Sequence, residues 1–181
     1  MARKETVTKT ILLDAAYAML MEEGIGEVTA RKLAAKASCS TQPIFRIYNN
    51  MEELYVDLFA KACDNFQEYY VSFPKTTVVP FVNLGLAYIL YAQNYPNVFR
   101  FLFLSNERYG RSLYDMINGQ TANVSKEIQS ANSQGASNAQ DLFMKMWMFI
   151  HGAACMSLTG DYDLTEEETV AMLKDAYASF R

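Results

Sequence analysis

Apolar residues recur at three- and four-residue steps along nearly the whole chain and seldom alternate, a pattern that predicts helices throughout. Ile11, Leu12, Ala15, Ala16, Met19 and Leu20 form a first stripe. It ends at Glu22-Glu23-Gly24, where Gly24 suits the left-handed position that follows a helix. Thr29 can cap a second, short helix in which Leu33 and Ala37 share one face, and the small Ala34 beside them lets another helix approach closely. Ser38-Cys39 is the break. Ser40 is a candidate cap for a third helix, and Pro43 is tolerated there because first-turn amides have no partner within the helix. Ile44 and Ile47 should then point inward toward Leu33 and Ala37, leaving Thr41, Gln42, Phe45 or Arg46, and Tyr48 near the exposed side and its edges. Asn50 with Glu53 repeats the capping pattern and opens a long helix from Met51.

From Met51 onward the pattern stays helical. Breaks at Phe73-Pro74-Lys75, Tyr95-Pro96-Asn97, Tyr109-Gly110, Ser133-Gln134-Gly135 and Thr159-Gly160-Asp161 divide this part into about five helices. VVPFV is short, and its Pro80 fits the first turn of a helix better than a central strand. Ser125 to Asn138 is polar enough for a loose helix end and loop. Thr165 with Glu168 has capping-box spacing for a last helix. The expectation is an all-α protein of about nine helices: a three-helix helix-turn-helix head, residues 1–50, and a larger helical body, residues 51–181.

Composition narrows the class. A chain of 181 residues, 51% hydrophobic, can bury one sizeable core or a small head and a larger body. No run approaches the roughly 18 to 20 uncharged apolar residues of a spanning helix. Met-Ala-Arg-Lys-Glu is not followed by the apolar core of a signal peptide, so a soluble cytoplasmic protein without a membrane partner is expected. Cys39, Cys63 and Cys155 show no CxxC spacing, which predicts reduced thiols. Residues 1–50 carry a net +2 while the remainder carries −6, an asymmetry in the direction that favours a nucleic-acid-binding head.

Two short helices joined by a tight turn and preceded by a supporting helix can present a helix to a DNA groove; the alternative is an ordinary packed helical hairpin. The run ILLDAAYAMLMEEGIGEVTARKLAAKASCSTQPIFRIYNNMEELY, Ile11 to Tyr55, resembles the N-terminal domain of the TetR family of bacterial one-component transcriptional regulators. WMFIHGAA, Trp147 to Ala154, is similar to the Trp-His-Gly signature of one C-terminal subgroup of that family. The resemblance implies a DNA-binding head, a fourth helix linking it to a ligand-binding body, and a homodimer formed through the last two helices. It also implies DNA contacts, for which Thr29, Arg31, Ser40, Thr41, Gln42, Arg46 and Tyr48 are the candidates. Gln42 suits adenine, and Arg46 suits guanine or a phosphate. Two positions depart from the family: Phe45 stands where it usually has Tyr, and Met51 where it usually has Lys. The phosphate footprint must then be smaller or rest elsewhere, on Arg3, Lys4, Arg31, Lys32 or Arg46.

Phe81 to Leu104 is unusually aromatic. Several tyrosines in one buried layer either simply pack the body or line a cavity and orient a small ligand with their hydroxyls. Tyr88, Tyr91, Phe99, Phe103, Met116, Trp147 and His151 are the ligand candidates. His151, the only histidine, has no Cys or carboxylate at metal-ligand spacing and no nucleophile to serve, so neither a metal site, a cofactor nor catalysis is expected. Phe143, Trp147, Ile150, Ala154, Val170, Leu173 and Tyr177 line the last two helices and are the candidate dimer interface, with Gly152, Ala153 and Ala154 permitting a close crossing against a symmetry mate. The leading expectation is a ligand-responsive regulator, more a repressor than an activator. It would bind a pseudo-palindromic double-stranded operator as a homodimer and be released by a small-molecule effector. The competing class is a helical small-molecule-binding protein or small enzyme without DNA binding.

Overall fold

The computed structural model describes residues 7–118 and 138–181, with 125, 126, 128 and 129 between them. Among these residues every regular element is helical: α1 (Lys9–Glu23), a 3-10 turn (Ile25–Glu27), α2 (Ala30–Lys36), α3 (Gln42–Ile47), α4 (Met51–Ser72), α5 (Pro80–Asn94), α6 (Pro96–Phe99), α7 (Leu113–Asn118), α8 (Ala139–Thr159) and α9 (Glu166–Phe180). A π-helical turn, Arg100–Leu104, continues α6. The break expected at Ser133-Gln134-Gly135 and most of the polar stretch before it lie outside the described residues.

Several helix starts fall where the sequence puts them. Thr29 caps α2 by accepting from the Lys32 amide; Thr8, not among the expected caps, caps α1 by accepting from the Ile11 amide. Pro80 sits in the first turn of α5. Thr165 accepts from the Glu168 amide, and the Glu168 carboxylate accepts from the Thr165 amide, closing a capping box on α9. Gly24 does adopt positive φ, but at φ 88° and ψ 169° it occupies a region open essentially to glycine alone rather than the left-handed helical one.

The chain forms two compact units that part inside α4 rather than at its start. One holds the residues up to Asn65 together with Asn97–Gly110. Leu12, Leu20, Val28, Leu33, Leu54 and Leu58 are fully buried in it. Phe59 of α4 packs on Phe101 and Tyr109 at 5.3 and 5.2 Å, and Asn97 donates to the Met21 carbonyl, so the later segment completes the head's core. Ion pairs Lys9–Asp57 (2.5 Å) and Lys61–Asp14 (3.0 Å) clasp α1 to α4 at two levels.

The other unit holds Phe66–Pro96 and the residues from Arg111 on. Here α5 is buried on nearly every side, and it is crossed by α8 and α9 at Gly85. A Cβ at Gly85 would lie 2.9 Å from Leu173 Cδ2 and 3.0 Å from Ile150, so those side chains would have to shift to admit one.

Candidate nucleic-acid interface

Helix α2 stops because Ser38 takes φ 51°, the left-handed region, and the Cys39 amide returns to the Ala34 carbonyl at 2.9 Å. That turn re-aims the chain, and α3 starts at Gln42 with Pro43 in its first turn. Thr41, not Ser40, occupies the cap position, in helical conformation and with no side-chain cap bond. Asn50 accepts from the Glu53 amide at 2.9 Å, while the Glu53 carboxylate reaches back to Asn49, taking its amide at 3.0 Å and its side-chain amide at 2.7 Å. These bonds, with the Asn49 side chain first, hold Glu53 below the usual carboxylate pKa. The Tyr55 hydroxyl donates to the Val28 carbonyl at 2.8 Å and ties α4 to the residues just before α2.

The helix-turn-helix is thereby fixed with one side of α3 in the core and the other free. Ile44 is buried, and Thr41, Gln42, Phe45 and Arg46 are exposed, as are Thr29, Arg31 and Ser40. Tyr48 is a correction: it is 2% exposed rather than at the outer edge. Burial first, and then the neighbouring Asp57 carboxylate, drive its hydroxyl pKa well above the ordinary phenol value. The Lys9 ammonium lies 5.3 Å from its ring, and Tyr48 is a core residue in this arrangement.

The cations of α2 divide. Lys32 is held by Glu23 and Glu27, and these hydrogen bonds raise its pKa. Lys36 pairs with Glu22 at 2.6 Å. Among the described residues Arg31 and Arg46 have no ion-pair partner, so they are the cations best placed to take phosphate oxygens. Lys32, a candidate on sequence, is already engaged by α1 and the 3-10 turn. Arg3 and Lys4 lie outside the described residues.

In the body, the ligand candidates do not gather into one site. Phe99 and Phe103 belong to the head unit, ring to ring at 4.9 Å. Tyr88, Tyr91, Met116 and Trp147 are buried, and Phe66 lies edge-on to Tyr88 and Tyr91. The Tyr88 hydroxyl and His151 Nδ1 are 3.0 Å apart, Trp147 stacks on His151, and the Cys155 sulfur sits 3.7 Å from His151 Nε2. Burial pushes the Cys155 thiol pKa up, away from a reactive thiolate. A cavity of about 510 Å³ does occur in this unit. Its lining comes from Met148, Phe149, Gly152 and Met156 of α8, the loop Asp161 to Leu164, and Met172 of α9, and includes none of the seven candidates.

The dimer candidates are likewise placed mostly inside. Trp147, Ile150, Ala154, Leu173 and Tyr177 are buried within the protomer and cover its own core, whereas Phe143 and Val170 are half-buried. What α8 leaves outside is a row at four-residue steps: Met144, Met148, Gly152 and Met156, 52, 61 and 48% exposed at the methionines, with Met172 of α9 at 46%. Helical periodicity does not single out this row because the wide apolar surface of α8 offers two faces, and only the packing on Gly85 decides between them. Among the described residues no three His, Cys, Asp or Glu side chains form a metal site, and no helix is long and apolar enough to cross a membrane.

Known proteins share the head and the fold. Residues 12–58 match the family of bacterial regulatory proteins, tetR family, in its N-terminal domain. No curated protein matches the chain. Along nearly its whole length the fold is similar to solved structures. A protein from Rhodococcus sp. assigned as a TetR-family transcriptional regulator has a TM-score of 0.66 at 16% identity over 95% of this chain and 97% of its own. One of the same assignment from Vibrio parahaemolyticus has a TM-score of 0.67 at 14% identity over 93% and 96%. A TetR-like regulator from Rhodococcus sp. RHA1 has a TM-score of 0.58 at 14% identity over 97% and 96%. At such identities the likeness is one of fold, and no subgroup follows from it. Residues 12–58 thus carry a TetR-family N-terminal domain with its helix-turn-helix, set in a chain whose fold is shared with solved TetR-type regulators.

Proposed function

We propose that the protein is a transcriptional regulator that binds a pseudo-palindromic operator as a homodimer and is released from it by a small molecule, so that it acts as a repressor. The observation that carries the reading is the polar, exposed side of α3, where Thr41, Gln42 and Arg46 stand free within a matched helix-turn-helix. Residues 1–50 then read DNA, backed by the rest of the head unit, and the unit of Phe66–Pro96 and the residues from Arg111 on holds effector and partner. Gln42 offers a donor and an acceptor to adenine; Arg46 reads guanine or holds a phosphate; Thr29, Arg31, Ser40 and Thr41 lie at the margins that face the backbone. Tyr48 is left out because it is buried.

A dimer is supported by the methionine row of α8 with Met172, large apolar side chains exposed side by side on one protomer. A dimeric reader of an inverted repeat sets its two recognition helices roughly 34 Å apart, in successive major grooves. The effector belongs to the body unit. Its effect on DNA binding equals its differential affinity for the two conformations of the dimer. Selection of random-sequence duplexes on the full chain tests the reading. An enriched inverted repeat supports it, and no enrichment at low salt turns the weight to a binding protein without DNA.

A further inference from the structure

On the exposed side of α3 one residue is out of character: Phe45, 48% exposed, stands between the polar Gln42 and Arg46 while Ile44 and Tyr48 carry the buried side. A phenyl ring has no donor for a phosphate and none for a base edge. In the major groove one apolar group distinguishes the bases, the C5-methyl of thymine. We propose that Phe45 is a specificity-determining residue that packs on a thymine methyl in each half-site. The inference rests on the DNA-binding reading above and adds to it a base that no polar side chain of α3 selects.

The geometry also says where that thymine lies. Phe45 follows Gln42 by three residues, a rise of about 4.5 Å along the helix. One base step is about 3.4 Å. The thymine is therefore within two base pairs of the adenine that Gln42 reads. Phe45 and Gln42 share the exposed face, so both contacts form in one docking pose.

The test uses the full chain and a selected duplex in which each thymine in turn is replaced by deoxyuridine, which removes the methyl and leaves base pairing intact. At one position per half-site, within two base pairs of the one whose recognition Gln42→Ala loses, the replacement weakens wild-type binding about 4-fold, the value of one buried methyl. In Phe45→Ala the same replacement changes nothing, and Phe45→Leu keeps most of the effect. Equal sensitivity in wild type and Phe45→Ala, or no sensitive position in wild type, overturns the proposal and leaves the DNA-binding reading standing. Phe45 is 48% exposed, so its truncation leaves the core of the head intact, and Phe45→Leu gives a second, more conservative variant with the same readout. Failure of the full chain to hold any duplex overturns both.

Discussion

Gly85 and Leu173 meet so closely that a Cβ on the glycine would stand 2.9 Å from Leu173 Cδ2, and this crossing decides which side of the last two helices is core. Ile150 closes on the same point at 3.0 Å. Gly85→Ala should therefore cost about 1–3 kcal/mol by overpacking, read as a lower urea midpoint. Gly152 has nothing within 4 Å of a built Cβ. Under conditions that keep protomers apart, Gly152→Ala should raise the midpoint, by up to about 1 kcal/mol from helix propensity.

The methionine row predicts what a charge would do there. Met148, 61% exposed, becomes a buried carboxylate in Met148→Glu if the row is the dimer contact. Sedimentation should then show monomers, with the helical circular dichroism unchanged. Met148→Glu that stays dimeric would remove this face from the account.

Salt dependence separates the cations of the head. Arg31→Ala and Arg46→Ala should each lower the slope of log affinity on log salt by about 0.9 for every phosphate left without its cation. Lys32→Ala should leave it nearly unchanged, because Glu23 and Glu27 already hold that ammonium. The Lys32 variant should instead lose stability slightly, as an exposed pair does.

Two caps make stability fall in acid. Glu53 and Glu168 are held below their ordinary pKa of 4.5, the first by Asn49 and the second by the Thr165 amide and hydroxyl. A carboxyl depressed in the folded state contributes stability above its unfolded pKa and loses it as pH falls through the folded one. Unfolding midpoints measured downward from pH 6 should therefore decline below about pH 4.5, and the decline should be shallower in Glu53→Gln, Glu168→Gln.

Local chemistry was legible in the sequence, and long-range pairing was not. Thr29, Thr165 and Glu168 act on amides within a turn of themselves, and Pro80 fits a first turn because it lacks an amide hydrogen, so local signals alone place α2, α5 and α9. That Phe101 and Tyr109 pack on Phe59 in the head cannot be read from helical periodicity, which is silent about which stripes meet. The same silence put Tyr48 outside: its place at the end of α3 is plain, but that it is buried, with Asp57 and Lys9 of two other helices beside it, is not. The aromatic residues around Phe81 to Leu104 read as one layer, yet Phe99 and Phe103 go to the head unit and Tyr88 and Tyr91 to the body.

On the proposed function the exposed side of α3 reads DNA. The measurement that tests it most directly is titration of a selected inverted-repeat duplex with wild type and a Gln42→Ala, Arg46→Ala double variant, both side chains being exposed. Loss of the site-specific component, with non-specific binding retained and the thermal midpoint unchanged, is the predicted result. A double variant that binds and discriminates as wild type does would contradict it.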